Sequence, residues 1–204
     1  MAIISNATTI ADAGAFSVSL GSMIHIKTLT ASSSGTLSFL NGADSVVFDD
    51  TYPIYKFVYT SIHPATGSGN FSFQVDTGTN TSFNQNITST SFYAEHSEND
   101  NTAFSYFAAT DQAEGTAFQM ISHNPGADND STSSGELTIF NPSSSTFVKH
   151  FIGTSNSHNG SNTSHNNYVT GYVNTTTALT RVRFKFISGN MDAGIIKMYG
   201  IKDS

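Results

Sequence analysis

The sequence predicts an all-β chain: a single-domain antiparallel β-sandwich, jelly-roll-like, with two sheets sharing a Phe, Val and Ile core. Three observations lead there. Over Arg181-Val182-Arg183-Phe184-Lys185-Phe186 each basic residue is followed by an aliphatic or aromatic one, the period of two shown by a strand with one wet and one buried face. Short runs of this kind recur along the chain, separated by Gly, Pro, Asn and Ser turn signals. The composition also disfavours helix. Only 11% of the 204 residues are charged, against about 25% in an average domain, so the surface falls to Ser, Thr, Asn, Gly and Gln, several of which compete with helical backbone bonding.

Length and aromatic content support a packed core. Sandwiches of this size run undivided, and such a chain buries roughly 70% of the surface its unfolded form exposes. The 16 Phe and 8 Tyr set it apart from disordered polar chains.

In chain order, residues 1–22 are small and mixed in polarity and form an N-terminal arm or edge strand; residues 23–204 form the sandwich. Strand-like runs follow at Met23–Thr30, Thr36–Asn41, Ile54–Ser61, Asn70–Asp76, Ser89–Glu95, Ala117–Ser122, Glu136–Asn141, Thr146–Gly153, Tyr168–Asn174, Arg181–Ser188 and Ile195–Ile201. Phe71, Phe73 and Val75 alternate with Ser72, Gln74 and Asp76, and Leu37 and Phe39 with Thr36 and Ser38. Asn141-Pro142-Ser143-Ser144-Ser145 joins two runs, with Pro142 where no ladder N–H is needed. Between Asn101 and Glu114 the spacing of Phe104, Phe107, Ala108 and Gln112 is near-helical but equally reads as a loop with one strand, and it allows one short helix at most. Asn124–Gly135 and the polar stretch Gly153–Asn167 read as long exposed loops. Ser188-Gly189-Asn190 is turn chemistry, so Arg181–Ser188 and Gly194–Ile201 are expected to pair as a closing hairpin.

Charge and cysteine narrow the function. The net charge is −7 and five of the eight Lys and Arg lie after residue 180, which argues against nucleic acid bound by phosphate neutralisation. With no cysteine, disulfides and thiolate chemistry are excluded. Met1–Asn6 has neither a basic region nor an apolar run, the pattern of neither a signal peptide nor a membrane anchor, and assembly in a cytoplasm is the expectation.

The candidate chemistry is sparse. Of the seven histidines, His25 reads as a solvent-facing strand residue, His150 sits in a strand, and His158 and His165 fall in the polar loop; no zinc spacing and no HExxH is present. Asp128-Asn129-Asp130 with Glu136, and Asp49-Asp50 with Asp44, offer oxygen ligands of the kind calcium prefers, without the EF-hand pattern. Whether the Asp128–Asp130 loop binds an ion is left open. Tyr52, Tyr55, Tyr59, Tyr93, Tyr106, Tyr168 and Tyr172 could stack on sugar, though most occupy strand positions that suit core or cross-strand pairing. No catalytic, cofactor or metal residue is assigned, no cofactor is expected, and an enzyme is not expected; a carbohydrate-active enzyme, which needs two carboxylates across a groove, is the remaining catalytic alternative.

Four segments carry a resemblance. Leu29-Thr30-Ala31-Ser32-Ser33-Ser34-Gly35-Thr36-Leu37-Ser38-Phe39, Ile62-His63-Pro64-Ala65-Thr66, Asn141-Pro142-Ser143-Ser144-Ser145-Thr146-Phe147-Val148-Lys149-His150-Phe151-Ile152, and Ser188-Gly189-Asn190-Met191-Asp192-Ala193-Gly194 leading to Met198-Tyr199-Gly200-Ile201 resemble a family of tailed-phage particle proteins common in marine phages. The resemblance covers most of the chain after about residue 25 and leaves out residues 156–167. It implies a structural protein of the virion surface, a capsid decoration in the first instance, contacting the major capsid protein or tail proteins. A host-recognition module on a tail fibre, binding surface glycan through the polar loops, is the alternative. Either role implies a homo-oligomer, for which a trimer would suit, and neither involves nucleic acid or membrane.

Overall fold

Four strands of the chain's first half each pair with one of its second half, in reverse order. The computed structural model describes residues 22–67 and 69–203 in full, and before them the strands β1 (Ile3–Ser5), β2 (Thr8–Asp12) and β3 (Ala15–Phe16). Those three form a sheet of their own, in the order β1-β2-β3. The arm expected over residues 1–22 otherwise lies largely outside the described residues. The remaining strands are β4 (Met23–Thr30), β5 (Leu37–Leu40), β6 (Ile54–Pro64), β7 (Phe71–Thr77), β8 (Ile87–Ser97), β9 (Thr102–Tyr106), β10 (Gln119–Ser122), β11 (Ser133–Phe140), β12 (Lys149–Asn159), β13 (Thr163–Val173), β14 (Leu179–Phe186) and β15 (Met191–Ile201).

β4 pairs β15, β5 pairs β14, β6 pairs β11 and β7 pairs β10, all antiparallel. That nesting is a long hairpin rolled on itself, the jelly roll. It gives a four-stranded sheet, β10-β7-β14-β5, and the half β4-β15-β6-β11 of a larger one. β12, β13, β8 and β9 extend the larger sheet to eight strands. The expected all-β sandwich is the observed architecture.

The core lies between the sheets where inward-facing positions are aromatic. Phe184 of β14 packs on Phe39, Phe57 and Phe71 with ring centroids 6.2, 5.4 and 5.9 Å away, all fully or almost fully buried. The alternation in β7 does not leave a wet face. Ser72, Gln74 and Asp76 are buried as completely as Phe71, Phe73 and Val75, because loops cover the outside of the small sheet. The Gln74 amide donates to the carbonyls of Gln85 and Ala117. Asp76 accepts from the Phe83 N–H and the Gln85 amide. Over β14 the same loops receive the basic face: Arg183 lies 3.8 Å from the Phe83 ring centroid and Lys185 5.2 Å from that of Phe118.

Three expectations need correcting. β14 and β15 are not a hairpin: they belong to different sheets, and Ile187–Asn190 carries the chain across the sandwich. β15 then enters its sheet through irregular register, where Gly194 sits at φ 112° against the Ser61 carbonyl, leaving no room for a Cβ. Gly153–Asn167 is not a loop but most of an eleven-residue antiparallel ladder, Lys149↔Val173 to Asn159↔Thr163. Its inward positions are Ser155, Ser157, Thr163, His165 and Asn167, so no apolar alternation marks it. The Asn124 loop ends where β11 begins, at Ser133. No helix forms among the described residues, and of the two readings of 101–114 the loop with one strand is the observed one, the strand being β9.

One buried charge holds two connections. The Lys149 ammonium is wholly enclosed and donates to the carbonyls of Ser144, Phe147 and Thr175 at 2.6, 2.8 and 3.1 Å. Burial lowers its pKa, yet three acceptors for three N–H groups match the protonated form. Lys149→Met, which keeps the aliphatic stem and strands those carbonyls, is expected to lower stability by roughly 2–4 kcal/mol in urea unfolding. A change within about 0.5 kcal/mol, the range of an ordinary surface substitution, would show that the cage contributes nothing.

Candidate functional site

Among the described residues, the outer face of the eight-stranded sheet carries the exposed aromatic residues other than Phe147, which lies in the connection before β12. Residues of even number in β8, β9, β12 and β13 point outward, so Phe92, Tyr106 and Tyr168 fall in one cross-strand row, through the pairs Phe92↔Tyr106 and Tyr168↔Phe92. Phe92 stacks on Tyr168 at 5.1 Å and 18°, and Phe104 tilts against Phe92 at 5.7 Å. Phe104 is 75% exposed, Tyr106 54% and Phe92 39%. Such exposure is costly for a strand face that does nothing.

Two shallow depressions flank this row. One, of about 220 Å³, is centred on Gly171 and lined by Thr88, Thr90, His150, Thr170 and Tyr172. The other, of about 420 Å³, is centred on Gly135 and lined by Thr60, Ser134, Glu136, Thr154, Asn156 and Asn166. The second is held in shape by Asn156, whose amide donates to Ser164 at 2.8 Å, and by the Lys56–Glu136 ion pair at 2.7 Å. Apart from Val58, every other lining side chain is a hydroxyl, amide, imidazole or phenol. No Lys or Arg occurs from residue 57 to 148, nor any charged residue but His from 150 to 180.

Behind this face the extension has a polar interior. His165 and His123 lie with ring centroids 4.5 Å apart; His165 stacks on Tyr93 at 4.8 Å, and Phe107 meets His123 edge-on at 4.9 Å. Asn167, Ser91 and Ser155 are buried beside them. Burial, with a small contribution from His123, pulls the His165 pKa down to about 4. Burial lowers His123 as well, against a weaker opposing pull from Glu95. Both rings are therefore neutral near pH 7.

The residues singled out in the sequence scatter. His25 is exposed on β4, bonded to Thr28. His63 is a latch: its two ring nitrogens meet the Asp192 carboxylate at 2.6 Å and the Asp128 carbonyl at 3.0 Å. Burial works against its protonation, but those two acceptors outweigh it and raise its pKa. His158, read as a loop residue, is on β12 and bonds Ser131; His165, read likewise, is on β13. Asp44 pairs with Lys27 at 3.3 Å, Asp49 caps the Thr51 N–H, and Glu136 is held by Lys56. Among the described residues, no three His, Asp or Glu side chains converge as a metal site would need. Tyr55 and Tyr59 are core, while Tyr106, Tyr168 and Tyr172 reach the outer face or its depressions. Phe92, Phe104, Asn156 and Asn166 were not foreseen. The parity of Phe92 with Thr88, Thr90 and Ala94, against Ile87, Ser89 and Ser91, is the signal that could have placed it outward.

Comparison of the chain with protein-family models, with curated proteins and with solved structures finds no match in any of the three.

The histidine pair makes stability sensitive to acid. A neutral buried His has a folded pKa below its unfolded value of about 6.5, so below that pH the unfolded chain binds more protons. Stability is then full above about pH 6.5 and is lost as pH falls toward 4, by about 3 kcal/mol for His165. Urea unfolding of the wild type at pH 7 and pH 4.5 is expected to differ by more than that of a His165→Phe variant. Equal pH dependence in the two would refute the assignment.

Proposed function

We propose that this chain is a non-enzymatic structural protein on the outside of a tailed-phage particle, and that it decorates the capsid. The observation that carries this reading is the pairing of a jelly-roll sandwich with an N-terminal segment whose strands form a sheet of their own. A decorating protein needs such a division, with a rigid body to display and a separate segment to attach. The resemblance of Leu29–Phe39, Asn141–Ile152 and the Ser188–Ile201 region to phage particle proteins supports the same reading. So does the use of jelly rolls by viral capsid domains, which is an analogy of fold and no more. A surface of uncharged polar groups suits a particle in concentrated salt, where ion pairs are screened. The partners on this reading are the major capsid protein and further copies of the chain, with a trimer fitting a local threefold position.

A second reading, a host-recognition module on a tail fibre, is favoured by one observation: the aromatic, uncharged outer face of the large sheet. The position in the particle separates the two. Quantitative mass spectrometry of purified virions, scaled to the major capsid protein, is expected to return hundreds of copies, whereas a few to a few tens would move the chain to the tail. Absence from the particle would overturn both. Deleting residues 1–22 is expected to abolish incorporation while the remaining sandwich still melts cooperatively.

A further inference from the structure

We propose that the outer face of β8, β9, β12 and β13 is a binding site for a neutral glycan, an oligosaccharide laid across the aromatic row with its hydroxyls in the flanking depressions. The inference concerns the face on which the host-recognition reading rests, and it names the ligand class and the subsites. It holds for a head or a tail position alike.

The chemistry of the face selects this ligand. The C–H groups on one side of a sugar ring carry partial positive charge and pack on the negative face of an aromatic ring. Phe92 and Tyr168 form a stacked pair at 5.1 Å, with Phe104 and Tyr106 beside them at the sheet edge. Their π surface is presented by a rigid sheet, so little ordering is needed on binding. A sugar also brings many hydroxyls, which need neutral donors and acceptors in fixed places. Asn156 and Asn166 supply them in one depression, and His150, Thr170 and Tyr172 in the other. From Gly135 to Gly171 is two strand spacings across and four residues along, roughly 16 Å by strand geometry. That is a span for several linked rings and too long for one.

Charge decides the class within the glycans. The only full charges lining either depression belong to Glu136, which is already paired with Lys56. β8, β9 and β13 contain no Lys or Arg, while Glu98, Asp100 and Asp111 lie in the connections on either side of β9. Uronic, sialylated, sulfated or phosphorylated sugars would meet no Lys or Arg there but Lys56, already neutralised by Glu136, and would be repelled by those carboxylates. Neutral sugars meet no such barrier. A second protein copy fits less well. Beyond the four rings the face turns to Thr, Asn and Ser around two concavities, without the continuous apolar centre that protein interfaces build on.

The test uses the full-length protein on a printed panel of neutral and acidic oligosaccharides, with Phe104→Ala, Tyr168→Ala and Asn166→Ala as variants. Retention is expected on neutral members alone. Each aromatic truncation is expected to weaken it about tenfold, the weight of one well-packed aromatic contact, and the Asn166 change to weaken it as well. Phe104 is so exposed that its truncation leaves the melting temperature nearly unchanged, which keeps the result interpretable if the Tyr168 variant unfolds. No retention on any neutral member, equal retention by the Phe104 variant, or a preference for acidic members overturns the proposal. So does a wild type that self-associates in sedimentation and is made monomeric by Phe104→Ala, since that assigns the face to a second copy. A blank panel with the protein still counted on virions would reject this site and leave the particle assignment standing.

Discussion

Reverse-order pairing between the two halves of the chain is the constraint on which the structure depends. None of the six ladders within the jelly roll joins strands adjacent in sequence; the closest pair, β7 and β10, is separated by about forty residues. The entropy of closing those loops is lost before the Phe184 cluster can form. Among β4 to β15, local hairpins occur only in or at the extension, at β8–β9, β11–β12 and β12–β13. Those hairpins bury Ser, Asn and His alongside their apolar residues, so part of their interior offers little apolar reward. Such a chain belongs with the slow, non-local folders.

The interior has two zones of opposite character as a result. Between the four-stranded sheet and β4, β15, β6 and β11 it is aromatic and aliphatic. Under β12, β13 and β8 it is a polar layer of Ser91, Ser155, His165 and Asn167. The first zone supplies stability through apolar area. The second holds the extension through extended backbone ladders, eleven residues long on both sides of β13, and leaves its side chains finely balanced. Acid sensitivity therefore belongs to the half of the molecule that bears the exposed aromatic face.

The same division explains what was legible in the sequence. β4 was readable to its boundaries, and β5, β7, β14 and most of β6 and β15 nearly so, because alternating apolar residues face the apolar zone. The partnering of β14 was not readable. Arg181–Phe186 followed by Ser188-Gly189-Asn190 has the local chemistry of a hairpin, and local chemistry does not say that the turn spans two sheets. β13 before Tyr168 and the far half of β12 were invisible, since alternation between Ser and Asn carries no hydrophobic signal. The outer face was missed for a related reason. Tyr168 was one of seven tyrosines weighed together, most of them expected to pack, Phe92 was not singled out, and only the register that sets Phe92 opposite Tyr106 and Tyr168 shows that all three share the solvent side.

Charge and the exposed aromatic face are likewise kept apart. The cations lie on or beside β4, β6, β14 and β15, apart from the buried Lys149, and the surface pairs Lys27–Asp44 and Lys56–Glu136 are theirs. Pairs of that kind contribute little at low salt and less at high salt. The half with the aromatic row relies on stacking and neutral hydrogen bonds, which ionic screening does not touch. β9, an edge strand, has neither the Lys nor the Pro that usually blunts an exposed edge, and it is only five residues long. Short length limits strand-to-strand aggregation without placing a charge where the rings are. An edge protected by brevity is compatible with a neutral aromatic binding face, whereas one protected by lysine would have turned that face toward anions.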